Sequence, residues 1–372
     1  MDKNTIKQNL PKEGFCTSFG NESDFWDFLE ELDTNDKHLE MLVTDMKIKA
    51  VDSTSSQEII DVATETRLAL EAGGITYPIL ATAMPSVKRR AELDTNLMGK
   101  LSPDVAAGMY NIGFGAQGKK KCTVFLRGEK PHSVLAIHSG RYVVFSQKKI
   151  FKCLLDFLDT NFDNVEFSGA SYCHDLTFVH FKVEDEALLK AYKTALANAR
   201  IPGADNAKIE LTLVMSDTGY SSVGIAMNMR LSAKKAAFPF AKPELIPHRD
   251  KSTFADIEAS VQRVFSLAQE GIGNLNRLMN IKLSCPASFA ATITKKFGLP
   301  KPLMDTVIPQ LQIYEDSGTE ITAHDFFTTI AKITEFSQFK AYSEKKKLEV
   351  RNDLSKIPFL TDDEWVKFDH VV

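Results

Sequence analysis

Hydrophobic and polar positions follow two different periods along this chain, and the N-terminal part shows mainly the helical one. Residues 21–32 read NESDFWDFLEEL, in which an apolar stripe occupies one face, acidic side chains occupy the other, and Asn21 or Ser23 can cap the first turn. The same spacing predicts helices over 56–72, ending at two glycines, over 84–101, and from a cap at 102 onward. Residues 39–51 alternate loosely, which predicts a strand.

The middle of the chain changes to the strand period at Lys121. Apolar runs rich in β-branched and aromatic residues predict strands over 122–127, 133–140, 141–146, 165–168, 176–183, 209–215 and 222–231. Helical spacing returns over 147–159 and 184–199. Because hairpins and helices alternate without a βαβ pattern, the sequence predicts an α+β fold with a mostly antiparallel sheet built from hairpin-helix units.

The C-terminal third has no strand signal, and its spacing predicts helices from 254 to 279 and over 286–297, 302–311, 324–339 and 361–368. Residues 236–249, AAFPFAKPELIPHR, contain three prolines and are typical of a boundary or arm. The sequence therefore predicts four regions: a mainly helical acidic region over 1–110, an α+β sheet domain over 111–235, a proline-rich basic linker over 236–252, and a helical region over 253–372.

Size and composition are those of a globular protein. With 372 residues, 44% of them hydrophobic and 25% charged, the chain is long enough for two domains and is unlike disordered or fibrous proteins. No stretch has the roughly 18 apolar residues of a membrane helix, and the N-terminus lacks the apolar segment of a signal peptide. We therefore expect a cytoplasmic protein without a membrane partner. The five cysteines form no C-x-x-C motif, which predicts reduced, buried thiols.

The formal net charge of −4 conceals a segregation of charge along the chain. Residues 1–66 hold 6 basic and 15 acidic residues, whereas residues 226–301 hold 12 basic and 5 acidic ones. Clustered lysine and arginine beside aromatic residues is typical of a nucleic-acid contact, but a solvated face or a surface for an acidic subunit has the same composition. The sequence alone leaves these alternatives open.

A glycine-rich stretch, GFGAQGKKKC over 113–122, has nearly the pattern of a phosphate-binding loop. Gly113, Gly118 and Lys119 satisfy G-x-x-x-x-G-K, but Lys120 stands where a serine or threonine would hold magnesium. Such a loop also needs a strand before it and a helix after it, and the predicted order here is the reverse. We expect a flexible basic turn in which Lys119, Lys120 and Lys121 can contact a phosphate backbone. An enzyme with a degenerate phosphate-binding loop is a further alternative.

Residue spacing indicates neither a metal site nor a hydrolytic site. The nearest group of metal-ligand types forms no H-x-H or H-x-x-x-H motif: His132, His138, His174, Asp175 and His180. A nucleophile elbow of the type G-x-S-x-G is also missing from the sequence. The sequence therefore supports no catalytic residue, no metal and no cofactor.

Residues 227–251 combine cations with aromatic rings, the recipe for binding single strands, since cations follow the backbone while bases stack on rings. The predicted nucleic-acid contacts in this block are Arg230, Lys234, Lys235, Phe238, Phe240, Lys242 and Arg249. The alternative is that both phenylalanines are core anchors that hold the linker. If one antiparallel sheet brings Arg230 and Lys121 to the same edge, the two sets of cations would form one groove.

Several of these segments together resemble a family of phage and plasmid-like proteins of unknown function. The resemblance rests on VFLR at 124–127, SGRY at 139–142, FSG at 167–169 leading into 176–181, and AKITEF at 331–336, which is similar to the family's N-A-v-T-E-Y segment. It covers about residues 120–340, and the family's N-terminal tryptophan and glycine motif is absent. The resemblance implies a protein of a phage or mobile element in a bacterial cell and carries over no catalytic residue.

The order of strands and helices also resembles, at the level of fold alone, the single-strand annealing proteins of phage recombination. We therefore expect a non-enzymatic, nucleic-acid-associated protein, with single-strand DNA binding or annealing as its activity. The alternative is a structural or interaction subunit. In that case the acidic N-terminal helix of one copy pairs with the basic block of another to form a homo-oligomer.

Overall fold

The architecture is known from a computed structural model, which describes residues 6, 9–93, 97–128, 131–201, 204–231, 236–249 and 251–369. About 50% of the chain is helical and 24% is in strands, the sheets are antiparallel, and the C-terminal part is helical. The predicted α+β class is therefore confirmed. Among the described residues, none of the helices combines the length and the apolar character that crossing a bilayer requires.

The main sheet has seven antiparallel strands: β1 (Cys16–Phe19), β8 (Asn164–Cys173), β9 (Thr177–Glu184), β10 (Lys208–Met215), β11 (Val223–Leu231), β12 (Ala236–Pro239) and β13 (Glu244–Ile246). They are hydrogen-bonded in the order β1-β8-β9-β10-β11-β12, and β13 also pairs with β11. The strands predicted over 165–168, 176–183, 209–215 and 222–231 are thus present in this sheet, where β8-β9 and β10-β11 are hairpins.

Two smaller antiparallel sheets accompany the main one. The first contains β2 (Lys37–Leu42), β6 (Lys121–Arg127) and β7 (Ser133–Ser139), and the second contains β3 (Lys47–Ala50), β4 (Leu68–Ala72) and β5 (Ile75–Pro78). A parallel bridge between Ile79 and Val134 links their ends. A two-residue pair, β14 (Lys282–Leu283) with β15 (Ile321–Thr322), lies among the C-terminal helices.

Fourteen α-helices complete the described fold: α1 (Glu22–Asn35), α2 (Gln57–Val62), α3 (Met84–Ala91), α4 (Pro103–Gly115), α5 (Gln147–Asn161), α6 (Glu186–Asn198), α7 (Phe254–Gln262), α8 (Val264–Leu278), α9 (Pro286–Phe297), α10 (Lys301–Asp316), α11 (Ala323–Ala331), α12 (Ser337–Lys340), α13 (Glu344–Leu354) and α14 (Asp362–Asp369). Asn21 caps α1 as predicted, because its Oδ1 accepts a hydrogen bond from the backbone N–H of Asp24 at 2.8 Å.

One large hydrophobic core joins the main sheet to helices from both halves of the chain. It includes Phe25 of α1, Phe151 of α5, Tyr192 of α6 and Trp365 of α14, all fully buried. A second core lies under the two smaller sheets and contains buried side chains of α3 and α4. α1 leads directly into β2 and α5 follows β7, so two helices of the main core are connected in sequence to the first small sheet.

The helix predicted over 56–72 is wrong for most of its length. Only α2 is helical, and β4 and β5 form a hairpin. Gly73 and Gly74 connect these strands with φ angles of 59° and 79°. A type I′ hairpin turn requires positive φ at both central residues, so the two glycines close a hairpin rather than end a helix.

Three other predicted elements differ from the structure. The helix predicted over 84–101 ends at Ala91, where Glu92 turns to a left-handed φ of 53°, and residues 94–96 lie outside the described part of the chain. The strand predicted over 39–51 is divided into β2 and β3 by a short 3₁₀ turn, Val43–Asp45. The strand predicted over 141–146 is absent, because Tyr142 stacks on the ring of His138 instead of continuing a hairpin.

The predicted linker folds onto the main sheet, where β12 and β13 both pair with β11. Phe238 and Phe240 are fully buried. The Phe238 ring packs edge-on against Phe327, with centroids 5.8 Å apart, and Phe240 covers Gly271 of α8. The structure therefore supports the alternative that both rings are core anchors. The division of the chain into four regions stays a prediction.

A disulfide joins Cys16 in β1 to Cys173 in β8. The expectation of five reduced thiols is wrong for this pair, because the antiparallel register places the two cysteines directly opposite each other although 157 residues separate them in sequence. Cys122, Cys153 and Cys285 stay thiols. Sequence spacing could not reveal a bond that strand register creates.

Candidate functional site

Arg127 is a fully buried cation at the end of β6. Its Nε and Nη2 donate hydrogen bonds to Asp36 at 3.0 and 2.6 Å, Nη2 also donates to Asp217 at 2.6 Å, and Nη1 donates to the hydroxyl of Tyr172. Asp36 follows α1, Tyr172 belongs to β8, and Asp217 lies in the turn between β10 and β11. One guanidinium thus connects the N-terminal helix, the first small sheet and the main sheet.

Two carboxylates share this single cation. Burial alone would lower the pKa of Arg127, but the charges of Asp36, Tyr172 and Asp217 outweigh it and hold that pKa well above its usual value. Burial raises the pKa of Asp36 to about 6 against the opposing effect of Arg127, and the charges of Asp217 and Asp33 raise it further. The pKa shift of Arg127 therefore comes from its anionic neighbours, whereas that of Asp36 comes first from burial.

Asp217 is fixed from several sides. Gln147, the first residue of α5, donates a hydrogen bond from Nε2 to Asp217 Oδ2 at 2.5 Å, and His138 Nε2 lies 2.8 Å from the backbone carbonyl oxygen of Asp217. The turn that carries Asp217 ends at Gly219, which has a φ of 69°. A carboxylate held in this way has one orientation, which is the condition for a preorganised binding group.

Stacked rings support the same turn. The His138 and Tyr142 rings are parallel with centroids 3.6 Å apart, and the His248 ring stacks on the other side of Tyr142 at 4.8 Å. Burial lowers the pKa of His138 to about 4 and also lowers the pKa of His248. Both imidazoles are therefore neutral at pH 7, and they act as flat packing surfaces rather than as charges.

A cavity of about 650 Å³, which we call the carboxylate cavity, opens beside this cluster between α1, β6 and the start of α5 and α7. Its polar wall is formed by Asp33, Asp36, Arg127, Gln147, Lys149 and Asp217, and aromatic side chains of Phe125, Phe145 and Phe254 form much of the remainder. A cavity of this size with convergent polar groups and shifted pKa values is where a ligand site is expected first.

Cations also cluster at the opposite end of β6, around the glycine-rich loop. Lys119, Lys120 and Lys121 are all exposed. Lys120 Nζ lies 2.6 Å from Glu92 Oε1, just after the end of α3, and it also donates to Gln117 at 2.8 Å. The loop therefore lies against the C-terminal end of α3.

The last turn of α3 adds Lys88, Arg89 and Arg90. We call these three residues and Lys119–Lys121 the basic surface. Arg89 is exposed, Lys88 and Arg90 are half-buried, and the buried Nε of Arg90 has no hydrogen-bond partner among the described residues. Burial and the charge of Arg89 lower the pKa of Arg90, which is expected where cations crowd together.

Acidic neighbours neutralise little of the basic surface. Glu92 pairs with Lys120, but both side chains are largely exposed, and a pair of that kind contributes little in water. Asp45 is a further acidic residue near the loop, where its charge acts on Cys122. Among the described residues, the six cations of the basic surface outnumber these two carboxylates, which leaves the surface positive.

The other predicted contacts are spread over the molecule. Arg230 donates to Glu210 in an exposed ion pair on the main sheet, Lys242 Nζ lies 4.7 Å above the Phe359 ring, and Arg249 is exposed. Lys234 and Lys235 lie outside the described residues. The predicted groove on one sheet edge is wrong, because Lys121 lies on β6 of the first small sheet whereas Arg230 lies on β11 of the main sheet.

Two other expectations can be judged from geometry. Phe238 and Phe240 have no exposed surface, so neither can act as a stacking platform for a base in this conformation. Gly113 lies inside α4, and β6 follows the loop. Since a phosphate-binding loop needs a helix after it, the proposed degenerate loop lacks the amide groups at a helix start that bind phosphate.

The candidate histidines and Asp175, whose side chains are of the kinds that bind metals, do not form a cluster. Within the ranges that the structure describes, no group of three or more histidine, cysteine, aspartate or glutamate side chains could hold a metal ion. His174 contacts the carbonyl oxygen of Lys12, and His180 contacts the hydroxyl of Thr212. Asp175 accepts from Thr82. His174, His180 and Asp175 thus each have a partner other than a metal. His138 has its partner in the ring stack, and His132 also has an interaction partner.

Sequence reasoning missed Arg127, Asp36 and Asp217. A signal existed for one of them, since Arg127 closes KCTVFLR, an otherwise apolar strand, and a charge in such a strand needs a partner when buried. The positions of its partners depend on three separate segments and could not be read from spacing.

No family model, curated protein sequence or solved structure matches this chain. The resemblance to phage and plasmid-like proteins therefore stays a prediction.

Proposed function

We propose that this protein binds the phosphate backbone of nucleic acid through the basic surface. One observation carries the proposal: the side chains of Lys88, Arg89, Arg90, Lys119 and Lys121 have no hydrogen bond or ion pair with any described residue, although they lie on two adjacent segments. A folded protein usually spreads like charges or pairs them, because crowding them costs free energy. Phosphate groups would supply the missing counter-charge.

Binding of this kind does not depend on base sequence. Backbone contacts position a nucleic acid without reading bases, and the two rings proposed for stacking are buried. Affinity would then come mainly from counterion release. Six phosphate contacts on a single strand correspond to a slope of about −4 in a plot of log affinity against log salt, at roughly 0.7 per contact. A role in single-strand binding or annealing for a mobile element is the finer proposal, and it rests on the resemblance alone.

Fluorescence anisotropy with a labelled oligothymidylate at low and intermediate salt tests the proposal. Arg89→Glu combined with Lys119→Glu should weaken binding at least tenfold at low salt and reduce the slope by about 1.4, because two contacts are lost. Lys242→Glu combined with Arg249→Glu introduces the same charge change on another surface and is the matched control, with little loss expected.

Two results would reject the basic surface as the binding site. One is the same loss of affinity in both double variants, which would mean that net charge alone governs binding. The other is unchanged affinity and slope in the Arg89 and Lys119 variant.

A second candidate function, homo-oligomer formation, is favoured by the apolar outer face of α4. Val105 and Ile112 are 52% and 76% exposed on this helix, which leads directly into the basic surface. An apolar face beside cations fits an acidic helix such as α1 of a second copy. Light scattering at high protein concentration separates the candidates, since a strict monomer removes the oligomer, while Ile112→Lys should dissociate an oligomer without weakening DNA binding.

A further inference from the structure

The carboxylate cavity lies at the far end of β6 from the basic surface, and a role for it goes beyond nucleic-acid binding. Arg127 lies six positions after Lys121, which corresponds to about 20 Å along a strand. The cavity is also lined differently, since three carboxylates outnumber its two cations, Arg127 and Lys149, and aromatic rings form part of the wall. A nucleic-acid backbone would be repelled here.

Hydrogen-bond acceptors without partners point to what the cavity binds. Both hydrogen bonds of the Asp217 carboxylate go to Oδ2, one from Arg127 and one from Gln147, so Oδ1 has no donor among the described residues. Gln147 is only 5% exposed, and its Oε1 also lacks a hydrogen-bond partner. The amide cannot be turned around, because its Nε2 must face the Asp217 carboxylate.

Most donors of the cluster, in contrast, are already used. Four of the five N–H groups of Arg127 donate to protein groups, one from Nε, one from Nη1 and two from Nη2. At the rim, Asp33 accepts from Ser146 at 2.6 Å, and the exposed Lys149 has no ion-pair partner among the described residues. Three carboxylates against two cations leave the cavity with one negative charge in excess.

Aromatic and aliphatic walls surround these acceptors. Phe125, Phe145, Phe254 and Leu32 line the cavity. Aromatic faces attract organic cations, and apolar walls favour a ligand with a hydrocarbon portion over a hydrated metal ion or a bare ammonium ion. An anion would face the unpaired Asp217 oxygen and would bring no donor to it.

We infer that the carboxylate cavity binds a small organic cation, an ammonium or guanidinium compound with an apolar body. Its N–H groups donate to Asp217 Oδ1, its charge offsets the excess carboxylate, and its body packs against Phe125, Phe145 and Phe254. The ligand class follows from unpaired acceptors, charge and wall chemistry together, and none of these features is used by the proposed nucleic-acid surface.

Isothermal titration with matched probes tests this inference on the full chain. Phenethylamine and agmatine should bind, 2-phenylethanol should bind at least about tenfold more weakly because it loses a charge-assisted hydrogen bond, and phenylacetate should not bind. Asp217→Asn should weaken phenethylamine binding by about tenfold or more for the same reason.

Because Asp217 also supports the fold, a second variant keeps the test decisive. Asp33 lies at the exposed rim of the cavity, so the Asp33→Asn variant should fold normally. It should weaken phenethylamine binding about threefold. Glu40→Gln removes the same charge from β2 outside the cavity and should leave binding unchanged. The inference is overturned if neither amine binds at millimolar concentration, if phenylacetate binds as well as phenethylamine, or if Asp33→Asn and Glu40→Gln have equal effects.

Discussion

Replacing Arg127 by methionine should destabilise the protein by roughly 3–5 kcal/mol, the usual cost of removing one partner from a buried ion pair. Methionine fills a volume close to that of the arginine stem, so the loss comes mainly from electrostatics rather than from a cavity. Asp36 and Asp217, whose side chains are 11% and 12% exposed, would keep their charges without a cation. The hydroxyl of Tyr172 would also lose its donor.

The pH dependence of this loss has a definite sign. Without Arg127 the native-state pKa of Asp36 rises further above its unfolded value. A carboxyl group whose pKa is raised in the native state favours the native state when protonated, so the variant is most impaired at neutral and high pH. As pH falls through the native pKa of Asp36, protonation removes the unpaired charge of that carboxylate and the gap in unfolding free energy to the wild type narrows.

Urea denaturation of Arg127→Met and wild type at about pH 5 and about pH 8 measures both effects. Arg230→Met is the matched control, because its pair with Glu210 is exposed and should contribute less than about 1 kcal/mol. Equal losses in the two variants, or an Arg127→Met loss that grows at acid pH, would refute the reasoning.

Three further predictions concern other parts of the fold. Reducing the Cys16–Cys173 disulfide should lower the free energy of unfolding by up to about 5 kcal/mol by the chain-entropy relation, measured as a lower denaturation midpoint with reductant, and Cys16→Ala should abolish that difference. Burial raises the pKa of Glu13 from 4.5 to about 7, so this group's contribution to stability is full below pH 4.5 and is lost as pH rises through 7; Glu13→Gln, which keeps the acceptor, should flatten that part of the pH profile. Gly271→Ala should cost roughly 1–3 kcal/mol because its Cβ would lie 2.5 Å from a backbone oxygen, whereas Gly273→Ala in the same helix meets nothing within 4 Å and should gain up to about 1 kcal/mol, as thermal denaturation can show.

The local sequence pattern predicts an element correctly when burial by its neighbours leaves the hydrophobic period of that element unchanged. The capped amphipathic pattern of residues 21–32 predicts α1 correctly, and the alternation over 209–215 and 222–231 predicts the β10-β11 hairpin. The helix predicted over residues 56–72 was wrong, because three consecutive residues of β4, 68–70, are buried. This strand therefore lacks the two-residue hydrophobic period of a strand with one exposed face.

The candidate sites show the same limit. Lys119–Lys121 could be found from sequence because adjacent residues carry the charge, but their companions Arg89 and Arg90 come from a separate helix. Phe238 looked available for stacking because a proline-rich segment usually lies on the surface, and strand pairing with β11 buried it instead. A site assembled from distant segments can be identified only once the fold is known. In this protein the fold depends on strand register, which residue spacing in the sequence does not determine.

Lysine footprinting tests the central claim, nucleic-acid binding at the basic surface, most directly. Acetylation of each lysine is measured by mass spectrometry with and without an oligothymidylate at low salt. The account predicts that Lys119, Lys120 and Lys121 become protected together, that protection disappears as salt rises, and that Lys242 reacts equally in both states. Protection of Lys242 with unchanged reactivity of the three loop lysines would contradict it.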